Sequence, residues 1–272
     1  MAKDPHLEKL NRLTLNELTC TLHLKPSDAR LFLSDYHSFN PEKMASYYAA
    51  KKIRMIGIHE QAYPSMLRCT EDPPLMIYAT GRLDLLQQQR SLSVVGTRYP
   101  STEAEQVIRR LIVPLIKSGW TIVSGMAAGV DGMAHRMAIN GNTIAVLGSG
   151  LLCPYPYQHR DLFRKLCEYQ LVISEYPPLS GPARWRFPER NRIISGLTPG
   201  TLVIEAKERS GSLITADQAL EQGREVFAAP GSILKLNSVG TNRLIQQGAK
   251  LVTSFEDILE ELTEWKRADD LF

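Results

Sequence analysis

Cysteine is scarce and scattered in this chain. Four thiols occur in 272 residues, at Cys20, Cys69, Cys153 and Cys167, and no two form a Cys-x-x-Cys pair. That spacing argues against a disulfide framework and against a zinc site, so a reducing, cytoplasmic setting is expected. Long apolar runs are missing as well. The densest stretch, Leu111–Ile116, is short and holds Pro114, whereas a membrane span needs about 18 consecutive apolar residues. The opening Met-Ala-Lys-Asp-Pro-His has no apolar core of a secretory signal, so export is not expected. Familiar catalytic and nucleotide signatures are also missing: there is no G-x-G-x-x-G, no Gly-Lys-Ser/Thr of a Walker loop, no G-x-S-x-G and no H-E-x-x-H. Neither a catalytic constellation nor a metal or other cofactor is expected.

What is present is an ordinary globular composition, 43% apolar and 22% charged, which excludes a disordered or collagen-like chain. The length allows one large or two unequal domains. A net charge of +3 conceals an asymmetry. Residues 254–272 carry seven acids and two bases, a balance of −5 that leaves +8 to residues 1–253. Residues 86–192 alone hold thirteen Lys/Arg against seven Asp/Glu. A basic middle beside an acidic tail points to a polyanionic partner, with a merely solvated surface as the bland alternative.

The pattern changes along the chain. In residues 1–55, Leu10, Leu13, Leu15, Leu18, Leu22 and Leu24 recur at three- and four-residue steps, and Pro26-Ser27-Asp28 reads as a helix start; a small helical domain is expected. From 56 to 264, short apolar strands alternate with helices. Strands are expected at Leu75–Tyr78, Ser93–Val95, Trp120–Val123, Thr143–Leu147, Leu171–Ile173, Thr201–Ile204, Glu225–Ala228 and Leu251-Val252. Helices are expected over 102–118 (with Pro114 a kink or break), 131–140, 158–169, 187–194, 212–222, 242–247 and 254–262. Fully apolar strands with helical crossovers predict an α/β fold: an extended Rossmann-like, mostly parallel sheet with helices on both faces. Residues 265–272 read as an acidic tail.

The strands end in small residues: Val95-Gly96-Thr97-Arg98, Val123-Ser124-Gly125, Leu147-Gly148-Ser149-Gly150 and Ala229-Pro230-Gly231-Ser232. Open parallel sheets bind ligands beyond these carboxyl ends, where glycine lets the backbone approach an anion and helix N-termini present free N–H groups. Ser124–His135 holds Gly125, Gly129 and Gly132 and suits a phosphate-binding loop with Asp131 as helix N-cap; the alternative is a tight turn that binds nothing. His135 fits a core role better than a catalytic one. Arg184-Trp185-Arg186-Phe187-Pro188-Glu189-Arg190-Asn191-Arg192 interleaves four arginines with two aromatics. Guanidinium groups pair with phosphates and aromatic rings stack on unpaired bases, which suits a single strand; for Trp185 and Phe187, burial in the domain weighs slightly more. Arg209–Thr215 offers hydroxyls and N–H groups to a phosphate, or simply a helix cap. Glu205 and Glu208 sit near a strand end without a visible catalytic partner.

Taken in order, Gly96-Thr97-Arg98, the Ser124–His135 run, Tyr155-Pro156, Phe187-Pro188-x-Arg190-Asn191-Arg192-Ile193-Ile194-Ser195-Gly196-Leu197, Lys207-x-Arg209-Ser210-Gly211-Ser212, Pro230-Gly231-Ser232 and Leu244-Ile245-Gln246-x-Gly248-Ala249 resemble the DNA-processing protein A family (DprA, or Smf) of bacterial natural transformation. The resemblance covers about residues 56–262. It implies a domain that binds single-stranded DNA without hydrolysing it, dimerises, shields incoming strands and helps load RecA past single-strand-binding protein. It implies a helical N-terminal domain likened to SAM or helix-hairpin-helix modules. It places Gly96, Thr97, Arg98, Ser124, Gly125, Gly129, Asp131, Tyr155, Arg190, Asn191, Arg192, Ser210, Gly211 and Ser212 on the DNA. Relatives often carry a basic residue after Tyr155-Pro156; here Tyr157 stands there, followed by Arg160, and both are candidates for that edge. Asn242, Ile245, Gln246 and Leu251 fall in the segment that the family uses for dimer and RecA contacts. A C-terminal winged helix, common in relatives, is not expected after the acidic helix.

Two other classes fit parts of the pattern. A nucleotide or nucleoside-monophosphate hydrolase of the cytokinin-activating LOG type shares the glycine-ended strands, although its P-G-G-x-G-T loop is not matched by Pro230-Gly231-Ser232. A structural adaptor would use the basic face only to dock RecA. The central expectation is a single trough into which Arg98 and Arg192 both open.

Overall fold

The computed structural model describes residues 14–21, 23–38 and 40–269. The expected positions Leu10, Leu13 and Leu22, and the last three residues of the acidic tail, lie outside the described residues. The chain divides into two compact units between Lys51 and Lys52.

Among the described residues, the first unit contains three helices, α1 (Leu15–Thr21), α2 (Pro26–Ser38) and α3 (Pro41–Ala50). Proline stands at the start of α2 and of α3, where its fixed φ suits a helix and its missing N–H costs nothing. Asn40 caps α3 by accepting a hydrogen bond from the Lys43 N–H at 2.8 Å.

The second unit is an α/β layer structure around one nine-stranded sheet. Its elements in order are β1 (Arg54–Gly57), α4 (Ser65–Arg68), β2 (Met76–Gly81), β3 (Ser91–Val95), α5 (Ala104–Lys117), β4 (Thr121–Ser124), α6 (Val130–Ala138), β5 (Asn142–Leu147), α7 (Arg160–Tyr169), β6 (Leu171–Ser174), α8 (Arg186–Gly196), β7 (Gly200–Val203), α9 (Gly211–Glu221), β8 (Glu225–Ala228), α10 (Val239–Gln246), β9 (Lys250–Leu251) and α11 (Phe255–Asp269). The strand order is β1-β2-β6-β5-β4-β3-β7-β8-β9. The β1/β2 and β2/β6 pairs are antiparallel and all others parallel.

Period-two alternation sorts the central strands into two cores. Val95, Val123, Val203, Val226 and Ala228 join one apolar cluster with α8, α9 and α10 residues such as Ile193, Ala216 and Leu244. Their neighbours Leu92, Val94, Ile122, Leu202 and Phe227 join a second cluster with α5, α6 and α11 residues such as Leu111, Ala134 and Ile258. Both faces of the sheet are therefore covered by helices, as the unbroken apolar strands require. The mostly parallel Rossmann-like architecture expected from sequence is the one found.

Two local expectations are corrected. Pro114 does not break α5: the helix runs through it, because Ile108, Leu111, Ile112 and Leu115 bury one face against the sheet and outweigh the single lost backbone bond. The edge strand β1 was not expected at all; of its four residues only Ile56 is fully buried, so it leaves no alternating signature.

The topology also fixes where a ligand site belongs. The chain leaves β3 through α5 to one side of the sheet and leaves β7 through α9 to the other, and β3 and β7 are neighbours. Loops departing in opposite directions open a crevice at the carboxyl ends of that strand pair.

Candidate nucleic-acid interface

A cleft of about 630 Å³ occupies that crevice, lined by Val95–Tyr99 after β3 and by Lys207 and Arg209–Ser212 after β7. Ala127 from the loop after β4, Asp131 from the first turn of α6, Tyr155 beyond β5, and Arg184, Phe187, Pro188, Arg190 and Asn191 around the start of α8 close its sides. A side pocket of about 200 Å³ shares Arg98, Tyr99, Tyr155, Phe187 and Arg190 with it and adds Gly125 and Gln158. Five cations, Arg98, Arg184, Arg190, Lys207 and Arg209, face one carboxylate, Asp131. The cleft is thus built to receive negative charge.

The loop carrying Arg98 is gripped from both sides. The Thr97 N–H donates to the Glu205 carbonyl at 2.7 Å, and the Thr97 carbonyl accepts from the Val130 N–H at 3.2 Å. The Glu205 carboxylate accepts from the Ser101 N–H (2.9 Å), the Ser101 hydroxyl and Asn237 Nδ2 (3.0 Å). Asn237 Nδ2 also donates to the Tyr99 carbonyl at 2.9 Å. Glu205 therefore fixes a loop, and Glu208 pairs with Arg243 at 3.4 Å. The exposed Arg98 guanidinium lies 5.7 Å from the Phe187 ring centroid, a cation–π contact that holds it over the cleft.

The loop after β4 differs from expectation in one respect. Gly129, not Asp131, is the N-cap of α6. Asp131 lies in the first helical turn, buried, and reaches back to accept from the Gly125 N–H at 3.2 Å and the Ala127 N–H at 3.4 Å. The backward reach follows from left-handed φ at Met126 (+56°) and Gly129 (+79°), which fold the loop over the carboxylate. His159 Nδ1 lies 3.0 Å from the Met126 carbonyl and tethers that turn. Burial pushes the Asp131 carboxyl above the ordinary range, against the opposing pull of Arg190 and the two N–H donors.

Arg190 is the buried cation of the site, 4% exposed. Its Nη1 donates to the Gly125 carbonyl at 2.6 Å and to the Val146 carbonyl, and its Nε to Asn191 Oδ1 at 3.2 Å. It ties the ends of β4 and β5 to α8. Burial lowers its pKa to about 10, which leaves it protonated at neutral pH.

The other expected site residues divide. Gly96, Thr97, Arg98, Tyr155, Asn191, Ser210, Gly211 and Ser212 line the cleft together with Asp131 and Arg190. Ser210 caps α9, and its hydroxyl lies 2.8 Å from that of Ser212, so the N-terminus of α9 faces the cavity. Asn191 Nδ2 donates to the Gly211 carbonyl at 3.2 Å and ties α8 to α9. Gly125 lines the side pocket alone. Ser124 is buried, donating its hydroxyl to the Val94 carbonyl at 2.6 Å, and Gly129 packs beneath Thr97 and Arg98; neither lines the cleft. Arg192 does not line it either. Its Nη2 donates to Glu175 Oε1 at 2.6 Å and its Nε lies 3.5 Å from Asp72, so the trough shared by Arg98 and Arg192 is not found. Tyr157 and Arg160 form their own exposed contact, 5.7 Å from guanidinium to ring, outside both cavities. Asn242 brackets Gly231 through both its amide atoms, Ile245 packs against the core, and Gln246 and Leu251 are exposed; none of the four lines the cleft.

Tyr99 and Lys207 line the cleft although sequence reasoning gave neither a role there, and Arg184, Phe187 and Arg209, which also line it, stood in the candidate runs but not among the residues placed on the DNA. Lys207 and Arg209 carried a usable signal, since they flank a strand-to-helix turn of the kind that binds anions. The expectation of burial for Trp185 fails: it is 57% exposed, while Phe187 is half-buried on the cleft wall. His135 is fully buried with Nδ1 2.7 Å from Thr143 Oγ1; burial pushes its imidazole down to about 3, so it is a neutral core side chain. The four cysteines are free thiols. No described helix is long and apolar enough to cross a membrane.

Comparison with known proteins follows the same fold. The family model described as DNA recombination-mediator protein A matches residues 54–263. DNA processing protein DprA of Bacillus subtilis (strain 168) is 44% identical over 235 residues, covering 85% of this chain and 79% of that protein. The X-ray structure of DNA processing protein A from Streptococcus pneumoniae superposes with a TM-score of 0.81 at 38% identity, covering 94% of this chain and 89% of that one. DNA processing protein A of Helicobacter pylori, whose solved structure concerns a single-stranded DNA binding mode, gives a TM-score of 0.72 at 28% identity, covering 78% and 96%.

Proposed function

Because the chain belongs to the DNA recombination-mediator protein A family, we propose that its cationic cleft binds single-stranded DNA, and that by occupying incoming strands in the cytoplasm it protects them during transformation and helps load RecA past single-strand-binding protein. The observation that carries this reading is the crevice between the β3 and β7 loops, with five cations against one buried carboxylate. Arg98, Lys207 and Arg209, with the N–H groups opening α9, neutralise successive phosphates. Tyr99, Tyr155 and Phe187 offer rings to unpaired bases, so sequence preference is weak. Arg190 and Asp131 do not carry the ligand; they fix the loops that do. No bond in the strand is broken in this reading. The surface of α10 and β9, where Gln246 and Leu251 are exposed, serves a second copy of the chain or RecA, and two clefts in a dimer raise avidity on one strand.

Fluorescence anisotropy on the purified chain, with labelled single strand and matched duplex and no other protein, tests the reading. Tight binding of the single strand and weak binding of the duplex is expected. No binding of the single strand without RecA would leave only an adaptor role, and release of base from a nucleoside monophosphate would point to a hydrolase instead.

A further inference from the structure

We propose that Trp185 is a stacking platform outside the cleft that takes an unpaired nucleobase of the strand whose phosphates the cleft holds. The proposal rests on the single-strand reading of the cleft and extends the path of the strand past its rim. Arg184, immediately before Trp185, lines the cleft, as does Phe187 two residues later, yet Trp185 itself is 57% exposed. An indole left this wet loses the stabilisation that burial gives it elsewhere, so the packing of the domain does not explain it.

The ring is nonetheless held. It meets Tyr176 edge to face, with centroids 6.1 Å apart and planes at 87°. The Arg186 guanidinium lies against both rings, 5.0 Å from Trp185 and 4.8 Å from Tyr176, and its Nη1 donates to the Gly181 carbonyl at 2.5 Å. The Tyr176 hydroxyl donates toward Glu189 Oε2 at 3.0 Å. A rigid, exposed aromatic backed by a cation and set one residue from Arg184 on the cleft wall is pre-organised for a base, because little side-chain freedom remains to be lost on stacking.

The test uses the full chain, labelled oligo-thymidylate long enough to pass the cleft, and a strand of equal length whose residues are abasic. Trp185→Ala is expected to weaken the thymidylate complex by roughly 5- to 30-fold, while Trp185→Phe keeps most of the affinity. On the abasic strand, wild type and Trp185→Ala are expected to bind alike, and unfolding temperatures of both variants should match wild type. Trp185→Ala binding thymidylate as wild type does, or losing equal affinity for the abasic strand, would overturn the proposal. Arg98→Ala run alongside separates the two readings: if it too binds normally, the cleft reading fails; if it alone weakens binding, only the Trp185 platform fails.

Discussion

Arg190→Ala is expected to destabilise the second unit by about 3–5 kcal/mol, the largest effect of any single change at the site. The substitution leaves the Gly125 and Val146 carbonyls without their donor and Asp131 without the cation that opposes its burial. Both side chains are nearly inaccessible, Arg190 at 4% and Asp131 at 5%, so solvent cannot compensate. A drop of more than about 6 °C in the unfolding midpoint should follow for a unit of this size. The double variant Arg190→Ala/Asp131→Asn is expected to recover part of the loss, because it removes the stranded charge as well as its partner. An Arg190→Ala protein as stable as wild type would show that the buried cation does not organise the site.

Gly129→Ala is the second large effect. Gly129 combines φ +79° with ψ −129°, a backbone conformation costly to an L side chain, and a Cβ there would meet the Thr97 carbonyl oxygen and come within 2.8 Å of Arg98 Cα. Strain and overpacking together are expected to cost about 2–5 kcal/mol. Any relaxation moves the Arg98 loop, so affinity for single-stranded DNA should fall with stability. Gly119→Ala is the control: its φ is also positive, +82°, but a Cβ there meets nothing within 4 Å. Chemical unfolding and strand titration of both variants check this. Equal losses in the two would show that the contact between the Gly129 and Arg98 loops is unimportant.

These two residues also mark how far the sequence could be read. The parallel sheet was legible because strands such as Ile144–Leu147 and Leu171–Ile173 are buried on both sides and read as continuous apolar runs. The glycine turns were legible as turns. Their three-dimensional use was not. Asp131 stands where an N-cap would stand, yet the N–H groups it accepts from lie four and six residues upstream, a reach that depends on two left-handed residues in between. The arginine run was read as a single patch, but residues two apart on a helix point to nearly opposite sides. Arg190 therefore turns inward beneath the cleft while Arg192 turns away to Glu175, a separation that helical geometry alone would have given. Lys207 and Arg209 gained their importance from strand order. Only the crossing of the chain from β6 to β7, on the far side of β3, brings the loop after β7 against Arg98, and local sequence does not encode that crossing.

The central claim, that phosphates of a single strand lie against Arg98 in the crevice between β3 and β7, is tested most directly by the salt dependence of binding. The logarithm of the association constant for an oligo-thymidylate should be measured against the logarithm of salt concentration for wild type and Arg98→Ala. Loss of one phosphate contact is expected to make the slope shallower by about 0.7 and to weaken binding most at low salt. Coincident lines for the two proteins would contradict the account.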